Sequence, residues 1–402
     1  MLSPNKKLLK GSFILLVSFG IFNFLHFLFQ FFMARKLNTA EYGILATLFA
    51  IIYILSVFTE SVQMIITKYS ANEEDTGKLK NLFMKSSKKA IFISFLLFLL
   101  YTVLSIPLSF ILKINYFILF LTGFIIFLTF LMPISRGIMQ GRKRFKSLSI
   151  NMVIESGSKL ILGLVLVYFG FKVYGAIIGV IAGSLVAFCF SFLSLKDIFS
   201  AKEKDAEITG IYNFAKPVFF ITLLVILFYS LDVIIAKIFF APEIAGAYAT
   251  ASMLGKIIFW GTLPITKAMF PLSADSKKSK KELENIFLDS LFILLLGAIT
   301  GIILFYYFSE GFIFLFTGKI IPQAYSILFY LGIAFGLISF ANLLLLYNLS
   351  LGKFKRYKFL FIFPVIEIFL LSYFSKDLVQ FSVAFITSSA IFLWGTILFS
   401  KD

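Results

Sequence analysis

Eight ionisable side chains stand inside long apolar runs of this sequence: His26, Glu60, Glu155, Lys159, Asp232, Lys256, Lys267 and Glu367. A charge at the centre of a membrane-spanning helix costs roughly 2.5–3.5 kcal/mol even on insertion scales, so each of these groups needs a partner or a cavity. Lys256 and Lys267 share the stretch SMLGKIIFWGTLPITKAMFP. On a helix they fall within about 20° of one face and about 16 Å apart, with Gly261 and Pro264 between them to allow a kink. A lysine facing a cleft suits an anion such as a diphosphate, to which it offers a compact charge and three donors. The alternative for Lys267, near the helix end, is snorkelling to lipid phosphates. For Lys256 it is a structural salt bridge.

The other ionisable groups divide between pairing and proton exchange. Glu155 and Lys159 are spaced i, i+4 and are expected to neutralise each other within one helix. Glu367 has Leu371 at the corresponding position, so it needs a partner elsewhere or a proton. Asp232 and Lys237 lie on different sides of their helix, which leaves Lys256 as a partner for Asp232. Glu60 and Gln63 share a face, and Asn23, His26 and Gln30 form a polar stripe. Interhelical hydrogen bonding is the plainer role for such stripes. The candidate binding residues are therefore Lys256, Lys267, His26 and Gln30. The candidate ion-coupling or salt-bridging residues are Asp232, Glu60, Glu155, Lys159 and Glu367.

The elements that position these groups are helices. The 402 residues are 60% hydrophobic and 14% charged, against about 45–50% and about 25% for soluble domains. Blocks such as IFISFLLFLLYTVLSIPLSFIL (91–112) are long enough to cross a bilayer. The pattern predicts an all-α polytopic membrane protein with twelve helices, at 11–34, 41–67, 90–112, 114–136, 150–170, 175–195, 214–239, 245–272, 285–308, 323–348, 358–374 and 378–399. The first helix lacks a small-x-small cleavage site and is expected to be retained. The segment 309–322 is expected to lie at the interface, and KDIFSAKEKDAEITG (196–210) to link two halves, residues 1–200 and 201–402.

The net charge of +17 follows topology rather than nucleic-acid binding. With the N-terminus in the cytoplasm, most basic residues fall on that side, including Lys78 to Lys89, Arg136 to Lys146 and Lys353 to Lys358. Few, such as Arg35, Lys113, Lys172, Lys237 and Lys319, fall outside, so both termini are expected in the cytoplasm. Single residues of Cys (Cys189) and His argue against disulfides and metal sites. No cofactor or catalytic residue is expected.

The halves repeat weakly. Gly43, Ala46, Thr47 and Ser70 meet Gly246, Ala249, Thr250 and Ser273, Gln30 meets Asp232, and Val153-Ile154-Glu155 meets Val365-Ile366-Glu367. Six helices per half give a parallel repeat, two pseudo-symmetric lobes around a central cleft.

These residues also carry a family likeness. ARKLNTAEYGILATLFAIIYILSVFTESVQMIITKYSA (34–71), MQGRKRFKSLSINMVIE (139–155) and LDVIIAKIFFAPEIAGAYATASMLGKIIFWGTLPITKAMFP (231–271) resemble the polysaccharide biosynthesis, or oligosaccharide flippase, proteins of the multidrug/oligosaccharidyl-lipid/polysaccharide exporter superfamily. The resemblance implies an alternating-access transporter whose first, second, seventh and eighth helices line the cleft. It implies a polyprenyl-diphosphate-linked oligosaccharide as cargo, moved to the outer leaflet of the plasma membrane by a monomer that works beside glycosyltransferases or a polymerase. A drug antiporter of the same superfamily is the alternative. A membrane glycosyltransferase or polymerase is remote: its carboxylate cluster would have to be Asp205-Ala206-Glu207, in a lysine-rich linker.

Overall fold

The computed structural model describes residues 6–205, 212–274, 279–352 and 357–399. It is helical throughout these residues. In chain order the elements are α1 (Lys6–Lys36), α2 (Thr39–Asn72), α3 (Thr76–Ile111), α4 (Tyr116–Gly123), α5 (Ile125–Gly141), α6 (Phe145–Leu166), α7 (Lys172–Ser194), the short α8 (Lys196–Ser200), α9 (Tyr212–Phe239), α10 (Pro242–Ser273), α11 (Lys280–Thr317), α12 (Pro322–Ser350), α13 (Ile362–Tyr373) and α14 (Leu378–Phe399). Nine runs are long and apolar enough to cross a membrane. One of them covers 145–194 and is broken in two at Gly170, whose φ of 88° is open to glycine without steric cost. With α10, diluted by its lysines and small residues, and the short α13, the described residues make twelve passes, α4 and α5 together forming one.

The chain divides into two compact units. The first comprises Met1–Leu37 and Leu55–Phe219, the second Asn38–Ile54 and Phe220–Asp402. The first part of α2 therefore packs with the second unit. It begins with a reciprocal cap, in which Asn38 Oδ1 accepts from Glu41 N–H at 2.8 Å and Glu41 Oε2 accepts from Asn38 N–H at 3.1 Å.

Three expectations are corrected. α3 starts at Thr76 rather than residue 90, capped by Asp75, which accepts from Gly77 N–H. Its lysines are good helix formers and prolong the helix beyond the apolar stretch. The segment 309–322 is helix for most of its length rather than a connection between helices. α11 continues through Thr317 past a bend at Phe308 (φ −123°) and ends on Gly318 in the left-handed region. The stretch 196–205 is not a free linker either. Lys80 Nζ donates to the carbonyls of Phe199 (2.8 Å) and Ala201 (2.9 Å), Asn81 to Glu203 (2.7 Å) and Lys204 to Asp75 (2.6 Å). These bonds strap the stretch to the start of α3. Glu207 lies outside the described residues.

Glycines set how closely the helices that carry the charges approach. Gly175, Gly179 and Gly183 repeat every fourth residue on α7 and face α6: a Cβ on them would meet Leu166, Gly163 and the backbone of Lys159 respectively. Gly137 and Gly141 of α5 do the same against residues 63–71 of α2. Gly43 and Gly246, the repeat mates, touch each other, and Thr47 and Thr250 each bond back to them at 2.8 and 2.9 Å. Gly179→Leu is expected to destabilise the purified protein by about 1–3 kcal/mol, because neither helix can yield. Gly157→Leu, where nothing stands within 4 Å, is the control. Equal thermal midpoints for the two variants would show that the α6–α7 glycines do not govern this packing.

Candidate functional site

In the first unit the charges form one connected network. Arg136 of α5 is buried and reaches Glu155 of α6 at 2.6 Å and Asn151 at 2.8 Å. Asn151 passes a bond to the Ala187 carbonyl (2.6 Å), and Ser184 of α7 donates to the second oxygen of Glu155 (2.7 Å). The glycine contacts between α6 and α7 bring Ser184 and Glu155 this close. Glu155 therefore pairs with an arginine, not with Lys159 one turn on as the i, i+4 spacing suggests. The planar guanidinium supplies two directed donors, one of which Glu155 takes. Arg136, counted among the cytoplasmic-side basic residues at the end of helix 114–136, lies within α5 and belongs to this buried set.

Lys159 turns to α1. Its Nζ lies 3.2 Å from His26 Nδ1 and 4.6 Å over the Phe29 ring. A lysine ammonium only donates, so Nδ1 accepts and the imidazole proton sits on Nε2. That nitrogen is enclosed and has no acceptor among the described residues. Gln30, one turn further along α1, is buried.

The second unit holds a separate cluster. Asp232 of α9 is fully buried and accepts from Ser252 Oγ, from Tyr248 OH (3.4 Å) and from Lys256 Nζ (3.4 Å), all on α10. Tyr248, Ser252 and Lys256 recur every fourth residue and so lie along one face of α10, a spacing legible in the sequence. Lys256 is sandwiched between the rings of Tyr229 (5.9 Å) and Phe335 (5.5 Å) and is only 4% exposed. Of its two expected roles the structure displays the salt bridge. Glu367 of α13 is completely buried, and neither carboxyl oxygen has a hydrogen-bond partner among the described residues. Gly395 of α14 leaves the space that the ring of Phe363, one turn before Glu367, occupies. Lys237, counted on the outer side and expected near the end of its helix, is buried in the last turn of α9.

Two candidates stand apart from these clusters. Glu60, well inside α2, is exposed and bonded to no described residue. One turn on, Gln63 donates to Gln140 (2.8 Å), which also accepts from Thr67 (3.3 Å). Lys267 is exposed on α10 and makes no ion pair or hydrogen bond among the described residues. The described residues contain no group of three or more His, Cys, Asp or Glu arranged to hold a metal.

Residues 8–277 match the family described as polysaccharide biosynthesis protein. No curated protein sequence matches the chain. Among solved structures, an inward-facing multidrug resistance MATE family transporter of the MOP superfamily superposes with a TM-score of 0.73 at 15% identity, covering 93% of this chain and 94% of that one. A MOP superfamily transporter from Pyrococcus furiosus, described by the reverse polarity of its binding pocket, gives 0.65 at 15% identity over 98% and 95% of the two chains. A variant of the Vibrio cholerae MATE transporter VcmN gives 0.63 at 15% identity over 98% and 96%. Identities this low establish the fold alone. The family match covers most of the chain, which therefore belongs to the polysaccharide biosynthesis protein family, and its multi-pass helical fold is the one these transporters share.

Proposed function

We propose that the chain is a flippase that carries a polyprenyl-diphosphate-linked oligosaccharide from the inner to the outer leaflet by alternating access. The observation that carries this reading is Lys267: an exposed lysine on a spanning helix with no anion of its own among the described residues. Lys256 and Lys159 are already engaged. Lys267 thus offers its three N–H donors to a phosphate. His26, whose enclosed Nε2 lacks an acceptor among the described residues, and Gln30 are assigned to cargo contacts in the first unit.

The two buried clusters are assigned to the conformational cycle. An unpaired carboxylate charge is costly in apolar surroundings, and Glu367 has no bond to offset it. We assign proton exchange to Glu367, with Asp232 and Lys256 as the neighbouring pair whose geometry its charge alters. Arg136–Glu155 is the corresponding fixed pair of the first unit.

One observation favours the drug-antiporter alternative. Glu60 is an exposed, unpaired carboxylate, which suits a cationic cargo.

Lys267→Gln is expected to lower transport of a labelled lipid-linked oligosaccharide in proteoliposomes at least tenfold, with Lys267→Arg retaining part of it. Wild-type transport by Lys267→Gln would remove the lysine from the site. Efflux of a cationic dye that is lost in Glu60→Gln, without glycan transport, would select the antiporter.

Lys256→Gln should accumulate poorly, because removing one partner of a buried pair costs roughly 3–5 kcal/mol. The double change with Asp232→Asn should restore abundance. If the single variant accumulates normally but cannot transport, Lys256 acts on cargo rather than on the fold.

Glu367→Gln should fold, since it keeps the shape and removes the ionisation. Its transport should no longer respond to an imposed pH gradient. A retained response would move proton exchange to another group.

A further inference from the structure

The exposed faces of the helices are of two kinds. On α3 that face is a continuous run of large apolar side chains: Phe92, Phe95, Leu96, Leu99, Leu100 and Val103. α11 presents the same kind of face through Leu288, Phe292, Leu296, Ile299 and Ile303. These are lipid-facing surfaces. On α10 the exposed positions between Ile257 and Leu272 are Gly261, Pro264, Lys267 and Ala268, with the half-buried Trp260 beside them. A stripe of small residues, a lysine and a tryptophan offers little to hydrocarbon.

Trp260 is itself out of place for a lipid-facing residue. Tryptophans of membrane proteins gather at the two interfaces. The chain's other tryptophan, Trp394, obeys this, lying 64% exposed near the end of α14. Trp260 sits near the midpoint of the 32-residue α10. No described residue accepts from its indole N–H, and that nitrogen is not enclosed. In hydrocarbon such a donor would be left unsatisfied. Beside it Gly261 faces open space. The ring of Tyr53, from the part of α2 that belongs to the same unit, meets Trp260 nearly edge-on, with centroids 6.2 Å apart at 74°, and Tyr229 closes the group 6.1 Å from Tyr53. The result is an aromatic corner with an open N–H donor, seven residues from Lys267. Seven residues return to the same face of the helix about 10.5 Å along it.

We infer that Trp260 and Tyr53 form a platform for a sugar ring, the one attached to the diphosphate held at Lys267. The apolar C–H face of a pyranose stacks on an indole, and the indole N–H donates to a hydroxyl or acetamido oxygen at the ring edge. The spacing of the two sites matches a diphosphate followed directly by its first sugar. The inference rests on the lipid-linked-cargo reading above and adds to it: the carrier-proximal sugar is read, so cargoes are distinguished by their first residue.

With Trp394 changed to Phe, Trp260 is the chain's only indole and reports its own occupancy. The purified protein is titrated with two probes, a short-chain prenyl diphosphate and the same molecule bearing one hexose. The hexose probe is expected to shift the Trp260 emission and to bind at least fivefold more tightly than the plain diphosphate. In the otherwise wild-type chain, Trp260→Leu should abolish that gain while leaving diphosphate affinity unchanged, Trp260→Tyr should keep part of the gain, and Lys267→Gln should weaken both probes. The unchanged diphosphate affinity of Trp260→Leu shows that this variant is folded. If both probes bind alike and Trp260→Leu alters neither, the cargo reading stands and the platform is overturned. If neither probe binds, the lipid-linked cargo itself is wrong, and the platform with it.

Discussion

The governing constraint is that a charge buried inside apolar helices must be matched within the protein. Arg136–Glu155 at 2.6 Å and Asp232–Lys256 at 3.4 Å meet it in the two units, and in different ways. The guanidinium pair is bonded on both sides, with Asn151 and Ser184 taking up the remaining valences. The lysine pair is looser. It is completed by Ser252, Tyr248 and two aromatic faces. A tightly saturated pair holds one geometry. A longer pair with an unbonded carboxyl nearby has more than one arrangement open to it.

Matching requires approach, and approach here depends on residues without side chains. Ser184 reaches Glu155 because Gly179 and Gly183 let α7 lie against the backbone of α6. Gln140 reaches Gln63 and Thr67 because Gly137 and Gly141 do the same for α5 against α2. With no hydrophobic drive between helices in lipid, such close contacts supply van der Waals energy directly and shorten the path between polar groups. Glycine spacing therefore belongs to the site as much as to the fold.

The apolar blocks made twelve helices legible, because spanning length and polarity leave few alternatives. The ends were not legible. The lysine-rich start of α3 and the aromatic end of α11 carry no signal that separates a helix leaving the membrane from a loop. The candidate residues were visible as polar or charged side chains in apolar runs, yet the partner of Glu155 on another helix was misjudged. Glu155 was matched to Lys159 because only neighbours along one helix can be read from spacing. Its partner, Arg136, was hidden at the end of helix 114–136 in a basic cluster that positive-inside counting placed on the cytoplasmic side. Asp232–Lys256 was foreseen as one of two options, since Asp232 lacked any local alternative.

Exposure in a membrane protein has two meanings, and composition separates them. A surface that meets lipid gains from every large aliphatic side chain and loses with every uncommitted donor. A surface that meets water has neither preference. α3 over 91–103 and α11 over 292–303 expose mainly large apolar side chains, as suits lipid. α10 does not, although it is as long and its buried face, with Phe259 and Met269, packs like any core. Between the exposed Ile257 and Leu272, its exposed positions, Gly261, Pro264, Lys267 and Ala268, carry no more than one methyl group or a ring apart from the lysine. On so low a stretch the lysine and the open indole donor are the points of contact assigned to cargo. This is why the same helix bears both the buried pair that stabilises the second unit and the exposed residues assigned to cargo. Its two faces answer to different solvents.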